Sequence, residues 1–277
     1  MYKIPGMRLL LSFLSVVILL SACQSSQKIS SKRTAMSFAK NKVIAHRGAF
    51  KKNNLPENSI AALQHAILLG CAGAEFDVHR TADDSLVINH DHTFFGKDIE
   101  RSSYADLVTK LLPNGEKLPT LREYLEKGMQ QKHTRLVLEI KPSNVSKERA
   151  VVTAEKVVAL VKELKAEQWI TYISFDFDVL LTIKKLEKDA PTQYLNGEKS
   201  PKELKDAGIE GADYHYSVFK KNPDWIKEAK TLGIVLNAWT VNAIADMDWL
   251  LSEGFDMITT NEPELLFERE KLFQLKK

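Results

Sequence analysis

Gly70-Cys71-Ala72-Gly73-Ala74-Glu75-Phe76-Asp77-Val78 is a run of small and apolar residues that closes on two carboxylates spaced two apart. In a β-strand residues i and i+2 share a face, so Glu75 and Asp77 project together. Like charges side by side repel, and burying them uncompensated is costly, so the pair calls for a cation. The device recurs in Leu136-Val137-Leu138-Glu139-Ile140-Lys141, where an acid and a base share a face at the end of an apolar run. His46-Arg47-Gly48 and His90-Asp91 each follow further apolar runs. Three carboxylates, two histidines, an arginine and a lysine at strand ends read together as a metal-assisted phosphate site.

Outward from that stretch, short apolar runs alternate with amphipathic segments from Lys42 onward, the signature of an α/β chain. Val43–Ala45, Ala74–Val78, Arg135–Ile140, Trp169–Ser174, Thr192–Leu195, Ala212–His215, Ile234–Ala238 and Asp256–Thr259 read as strands. The intervening helices are expected over Glu57–Leu69, from Pro119-Thr120 through Lys127, over Ser146–Glu167, and from Ser174 through Leu186. The rest are expected over Lys202–Ala207, Asp224–Thr231, Ile244–Leu251 and Pro263–Phe273. Thr120 with Glu123 three residues later forms a capping box, worth about 1 kcal/mol. Eight such units in one domain predict a (β/α)8 TIM barrel, with a doubly wound open sheet as the alternative. The polar, less regular stretch Asp91–Leu118 is expected to be a loop excursion between the second and third barrel strands and the seat of substrate specificity.

The chain has 277 residues, 44% of them apolar, enough for one full core. Its formal charge is +3. Residues 1–22 read as a secretory leader: Lys3 and Arg8, then the apolar stretch Leu9–Leu20, too short to span a membrane comfortably. Removing that leader leaves 37 basic against 36 acidic residues, a balance that argues against a nucleic-acid binder. Leu20-Ser21-Ala22-Cys23 looks like a bacterial lipobox, in which Cys23 becomes the lipidated first residue and anchors the protein to a membrane. A plain signal peptide with an incidental cysteine is the alternative. Residues 23–40 suit a flexible tether, and 41–277 hold the barrel. Such a leader implies export to the bacterial cell envelope, on the periplasmic face or the outer membrane. Cys71 is then the single remaining thiol and reads as a buried structural one.

In a TIM barrel the chemistry stands at the C-terminal ends of the strands, and the polar residues singled out here fall there. Oxygen ligands from Glu75, Asp77 and Glu139 favour a hard cation, Mg²⁺ or Ca²⁺, over zinc, for which no ligand motif is present. Arg47 can clamp a phosphate and Lys141 adds a point charge. His46 and His90 suit a general acid and base. His92 competes with His90 for that assignment, and Asp91 beside it favours His90. His65, His79, His133 and His215 read as structural. Trp239, in Asn237-Ala238-Trp239-Thr240-Val241-Asn242, is either a core aromatic or the wall of a pocket. Glu57 either opens the first helix or holds a catalytic side chain in orientation.

These residues resemble the glycerophosphodiester phosphodiesterase family. The resemblance rests on Ala45-His46-Arg47-Gly48, Pro56-Glu57-Asn58-Ser59, Glu75-Phe76-Asp77-Val78, His90-Asp91, Pro119-Thr120-Leu121, Glu139-Ile140-Lys141-Pro142, Asn237–Asn242 and Thr260-Asn261-Glu262-Pro263, in that order. It implies a barrel that converts glycerophosphodiesters to glycerol 3-phosphate and an alcohol. His46 and His90 would be the acid/base pair, Glu75, Asp77 and Glu139 the metal ligands, and Arg47 and Lys141 the phosphate holders. The substrate's own 2-hydroxyl would attack phosphorus, giving a cyclic phosphate that water opens, which fits the absence of an evident protein nucleophile. Three places depart from the family pattern: His92-Thr93-Phe94-Phe95-Gly96 after Asp91, Asn261-Glu262-Pro263 for Asp-x-Pro, and Asp84-Ser85 where Asp-Gly is common. The first alters a loop expected to face the leaving alcohol. A related barrel phospholipase or sugar-phosphate diesterase, and a non-catalytic surface-binding lipoprotein, are the competing readings.

The lipid anchor has a direct check. Cys23→Ala should release the protein from membranes into the soluble fraction, and continued membrane association of the variant would count against lipidation.

Overall fold

Val43–Ala45 (β1) is apolar and buried at every position, and Gly73–Arg80 (β2) is buried along all eight residues, polar ones included. Burial on both faces is what parallel strands covered by helices require. The remaining strands are Arg135–Ile140 (β3), Ile170–Ser174 (β4), Thr192–Tyr194 (β5), Gly211–His215 (β6), Val235–Trp239 (β7) and Ile258–Thr260 (β8). In the computed structural model, which describes residues 1–2 and 36–275, they hydrogen-bond in the order β7-β6-β5-β4-β3-β2-β1-β8, all parallel. Backbone bonds from Met257 to the Leu236 carbonyl (3.1 Å) and from Val241 to the Thr259 carbonyl (2.9 Å) bring β7 and β8 together. The Asn237 amide adds a 3.1 Å bond to the Thr259 hydroxyl there. The barrel is nearly closed, as the eight-unit pattern predicts.

The chain divides at Ala35 and Met36 into two compact units, and the barrel lies within the second. The expected leader and Cys23 lie outside the described residues. Of the expected tether, Ser37 and Ala39 bond through their backbone N–H groups to Lys132 and His133, and Arg135 stacks on Phe38. That anchored end adjoins the N-terminal end of β3, opposite the face where the site lies.

Eight helices cover the barrel: Ile60–Leu69 (α1), Leu121–Gly128 (α2), Lys147–Leu164 (α3), Phe177–Leu186 (α4), Pro201–Asp206 (α5), Asp224–Leu232 (α6), Ile244–Glu253 (α7) and Pro263–Gln274 (α8). The first begins at Ile60 rather than Glu57. Asn58 takes the left-handed conformation (φ 60°), which stops a helix, and the Ser59 hydroxyl then caps it by accepting from Ala62. The Thr120–Glu123 capping box is formed as expected. A one-and-a-half-turn helix, Tyr216–Lys221, precedes α6 and was not legible as a separate element. Among the described residues no helix is long and apolar enough to cross a membrane.

Between β2 and β3 the strand Leu86–Ile88 folds back antiparallel on the outer half of β2, pairing Val78 with Ile88 and Arg80 with Leu86. The chain then makes a two-stranded ribbon, Thr93–Phe94 with Lys97–Asp98, and packs Val87, Phe94, Ile99, Leu107 and Leu118 into a small core of its own. Buried Glu100 ties this lobe to the barrel through Arg149 Nε (2.9 Å), the Ser143 hydroxyl (2.7 Å) and the Asn144 N–H (2.8 Å).

The turn after β1 sets the site and admits only glycine at its centre. Arg47 (φ 55°) and Gly48 (φ 78°) are both left-handed, and a Cβ on Gly48 would stand 2.7 Å from the Ala62 backbone. Gly48→Ala should therefore cost about 1–3 kcal/mol from overpacking, read as a lowered midpoint in urea unfolding. An unchanged midpoint would show that the turn relaxes at no cost.

Candidate active site

Parallel pairing of β2 with β3 sets Asp77 opposite Glu139 and Glu75 opposite Val137. Paired residues point to the same side, so the three carboxylates meet at the mouth of the barrel, and one oxygen from each lies within 4.8 Å of the others. All three are buried. Lys141, two residues beyond Glu139, turns back and ion-pairs with Glu139 Oε1 at 2.9 Å and Asp77 Oδ1 at 3.2 Å.

The distribution of proton affinity follows from these partners. Burial opposes the charge of Asp77, but Lys141, His90 and a 2.8 Å hydrogen bond from Asn58 outweigh it and bring its pKa down to about 2. Burial and the Asp77 charge push Glu139 up to about 8, against the pull of Lys141. Burial, Asp77 and Glu139 hold Glu75 well above the usual carboxylate range, although the Arg47 N–H donates to its Oε2 at 2.7 Å. Glu75 Oε1 is buried with no hydrogen-bond partner. An orphaned buried carboxylate oxygen in an oxygen-only set with more negative than positive charge fits a divalent cation.

His46 and His90 flank this cluster. His46 Nδ1 lies 2.7 Å from Asn261 Oδ1, so Nδ1 carries the proton and Nε2, 3.9 Å from Glu75 Oε2, presents its lone pair. Burial, then the neighbouring Arg47 charge, lowers its pKa to about 4. His90 Nδ1 sits 2.7 Å from Asp91 Oδ1, an arrangement that holds the Asp91 carboxyl below the usual range. The His90 backbone is seated by His79, whose Nε2 is 3.3 Å from the His90 carbonyl; the His79 ring meets His92 edge-on. Thus His79 and His92 lie behind His90.

A cavity of about 100 Å³ opens on this group. His46, Arg47, Glu75, His90, Glu139 and Lys141 form one wall; Ile173, Phe175, Leu195 and Trp239 form an apolar one, with Asp213, Thr240 and Thr259. Trp239 is thus a pocket wall, held by a 2.9 Å bond from its indole N–H to the Asp213 carbonyl and edge-on packing with Phe175. Glu57 is not among the residues lining the cavity; it precedes α1 and ion-pairs with Arg47 at 2.9 Å. Residues 91–118 are not among those lining the cavity; Asp91 meets it only through His90, and the stretch beyond packs on a small core of its own. Sequence reasoning missed Asn58, Asn261, Phe175, Leu195 and Asp213. Asn58 and Asn261 stand in the quoted motifs, but their contacts depend on a left-handed turn and on barrel closure, which brings Asn261, just past β8, to His46 across 215 residues of sequence.

Replacing the neutral partner of His46 by a charged one gives a clean test of the Nδ1 contact. Asn261→Asp should raise the His46 pKa by about one unit or more. If His46 Nε2 acts as a base, the acid limb of the kcat/KM profile should move to higher pH by the same amount. An unmoved limb would separate His46 from the base role.

The sequence matches the model of the Glycerophosphoryl diester phosphodiesterase family over residues 46–265. A glycerophosphodiester phosphodiesterase of Caldanaerobacter subterraneus subsp. tengcongensis is 33% identical over 238 residues, 81% of this chain and 95% of that one. The crystal structure of a glycerophosphodiester phosphodiesterase from Parabacteroides distasonis superposes with a TM-score of 0.81 at 41% identity, covering 87% of this chain and 99% of that one. A phosphodiesterase of Oleispira antarctica, solved in complex with the product sn-glycerol-3-phosphate, gives 0.70 at 25% identity over 83% of this chain and 97% of that one.

Proposed function

The chain belongs to the glycerophosphoryl diester phosphodiesterase family, and on that premise we propose that its cavity hydrolyses glycerophosphodiesters to glycerol 3-phosphate and an alcohol with a divalent cation held by Glu75, Asp77 and Glu139. The observation that carries this reading is the buried carboxylate triad, with an orphaned Glu75 oxygen, between two histidines whose Nδ1 atoms are both held. A hard cation, Mg²⁺ or Ca²⁺, supplies charge neutralisation and polarises a phosphoryl oxygen when bound.

The protein's own groups do the rest. Arg47, braced by Glu57, offers its guanidinium to a phosphate, and Lys141 keeps Asp77 and Glu139 in register while adding positive charge to the cavity. His46, neutral near pH 7, takes the proton of the substrate's 2-hydroxyl at Nε2 as that oxygen attacks phosphorus. His90, with Asp91 as its negative partner, gives a proton to the departing alcohol. Water then opens the cyclic phosphate with the two roles reversed, so the diester and one water become a monoester and an alcohol. The leader and Cys23 extend the proposal to a lipid-anchored enzyme of the bacterial cell envelope, acting outside the cytoplasm.

Turnover of glycerophosphocholine and glycerophosphoethanolamine by the purified protein, with and without EDTA, tests this reading. Activity should vanish with chelation and return with Mg²⁺ or Ca²⁺; metal-independent turnover, or none across such diesters, would sink it. His46→Ala and His90→Ala should each lose about 10²–10⁴-fold in kcat while still binding metal. A near-normal rate in either variant removes that residue from proton transfer.

A further inference from the structure

Asp213 is a buried carboxyl in the cavity that the proposed reaction leaves without a task. It occupies the middle of β6, 2% exposed, and alternation along the strand turns it inward with Gly211 while Ala212 and Tyr214 pack outward against the helices. Its Oδ1 has no hydrogen-bond partner, and its side chain lines the cavity on the side of Trp239 and Leu195. A buried carboxyl oxygen left unsatisfied costs about 1–3 kcal/mol, so its persistence at a cavity wall asks for a ligand group.

We infer that Asp213 is a specificity-determining residue that binds the terminal hydroxyl of the glycerol moiety. The inference rests on the diesterase reading above. The phosphate belongs beside Arg47 and Lys141, and the 2-hydroxyl beside His46, all on the opposite wall. That leaves the third glycerol oxygen directed toward the apolar wall, where Asp213 is the one ionisable side chain lining it among the described residues. Burial pushes the Asp213 carboxyl up to about 8, against a hydrogen bond from Asn237 and with no charged neighbour to offset it. The group therefore stays protonated at neutral pH and carries both a donor and an acceptor. A hydroxyl needs that pair, and a neutral acid does not repel the phosphodiester anion.

The test compares glycerophosphocholine with its 2-hydroxypropyl analogue, which keeps the attacking hydroxyl and lacks the terminal one, in the metal-loaded enzyme. The wild type should prefer glycerophosphocholine by about tenfold or more in kcat/KM, because a site built around a hydroxyl rejects the analogue without it. Asp213→Leu should bring that ratio close to one, mainly through KM for glycerophosphocholine, and Asp213→Asn, which keeps a donor and an acceptor, should retain most of it. The ratio is internal to each variant, so a partial loss of folded protein cannot mimic the effect. Equal losses on both substrates, or no preference in the wild type, would overturn the assignment. Failure of the wild type to hydrolyse glycerophosphocholine at all would overturn the diesterase reading and the assignment with it.

Discussion

Mutual repulsion among Glu75, Asp77 and Glu139 is the constraint around which the molecule is arranged. Two unit charges at about 4 Å interact by about 4 kcal/mol at the effective dielectric of a protein site. Three carboxylates within 4.8 Å would therefore oppose folding by an amount comparable to a domain's whole stability. The barrel holds them because their positions follow from strand register, and a slip of one residue between β2 and β3 would turn apolar side chains into the mouth. Lys141 offsets part of the repulsion from within. The rest is relieved by protonation of Glu75 and Glu139 or by a cation, and affinity for a cation is the other face of that same stored repulsion.

The surroundings of the two histidines follow from the same field. His46 is buried beside Arg47 with a neutral partner at Nδ1, so besides the Asn261 hydrogen bond an imidazolium there is stabilised only by the carboxylates of the triad. Those are the charges a cation would cancel. His90 stands on the looser side of the mouth, with Asp91 at its own Nδ1. One ring is thereby kept as a lone pair and the other is given a counter-charge. The opposite proton tasks proposed for them at one phosphate would demand that difference, and it arises from partner choice at Nδ1 rather than from the rings.

Much of this was legible in the sequence for a mechanical reason. Period-two alternation puts Glu75 with Asp77 and Glu139 with Lys141, and the eight-unit pattern puts strand ends on one face, so residues far apart in sequence share a mouth. The resemblance then supplied roles for groups already singled out. What escaped were residues whose meaning depends on barrel closure or on backbone conformation. Asp213 looks like an ordinary polar position in Gly211-Ala212-Asp213-Tyr214-His215 until the neighbouring strands curve around it. Asn58 reaches Asp77 because its backbone is left-handed, which composition alone does not announce. The lobe formed by residues 91–118 was not legible either. Their polarity hides four apolar side chains, Phe94, Ile99, Leu107 and Leu118, that pack with Val87, and the Glu100–Arg149 pair ties them to the barrel.

The division of the cavity into two walls has a further consequence for how catalysis is shared between enzyme and substrate. Charged and titratable groups crowd the β1–β3 side, and aromatic and aliphatic groups the β4–β7 side. Among the described residues no serine or cysteine lines the cavity, and the Thr259 hydroxyl is engaged by the Asn237 amide at 3.1 Å. A nucleophile placed on the charged wall would have to compete with the triad for the same histidines. In the proposed reaction a hydroxyl carried in by the substrate avoids that competition, because binding of the glycerol moiety would deliver it already oriented. The apolar wall then has a catalytic meaning of its own. In the proposed reaction, fixing the carbon chain against Trp239 and Leu195 would set where the 2-hydroxyl meets His46, and so couple recognition of glycerol to the chemical step.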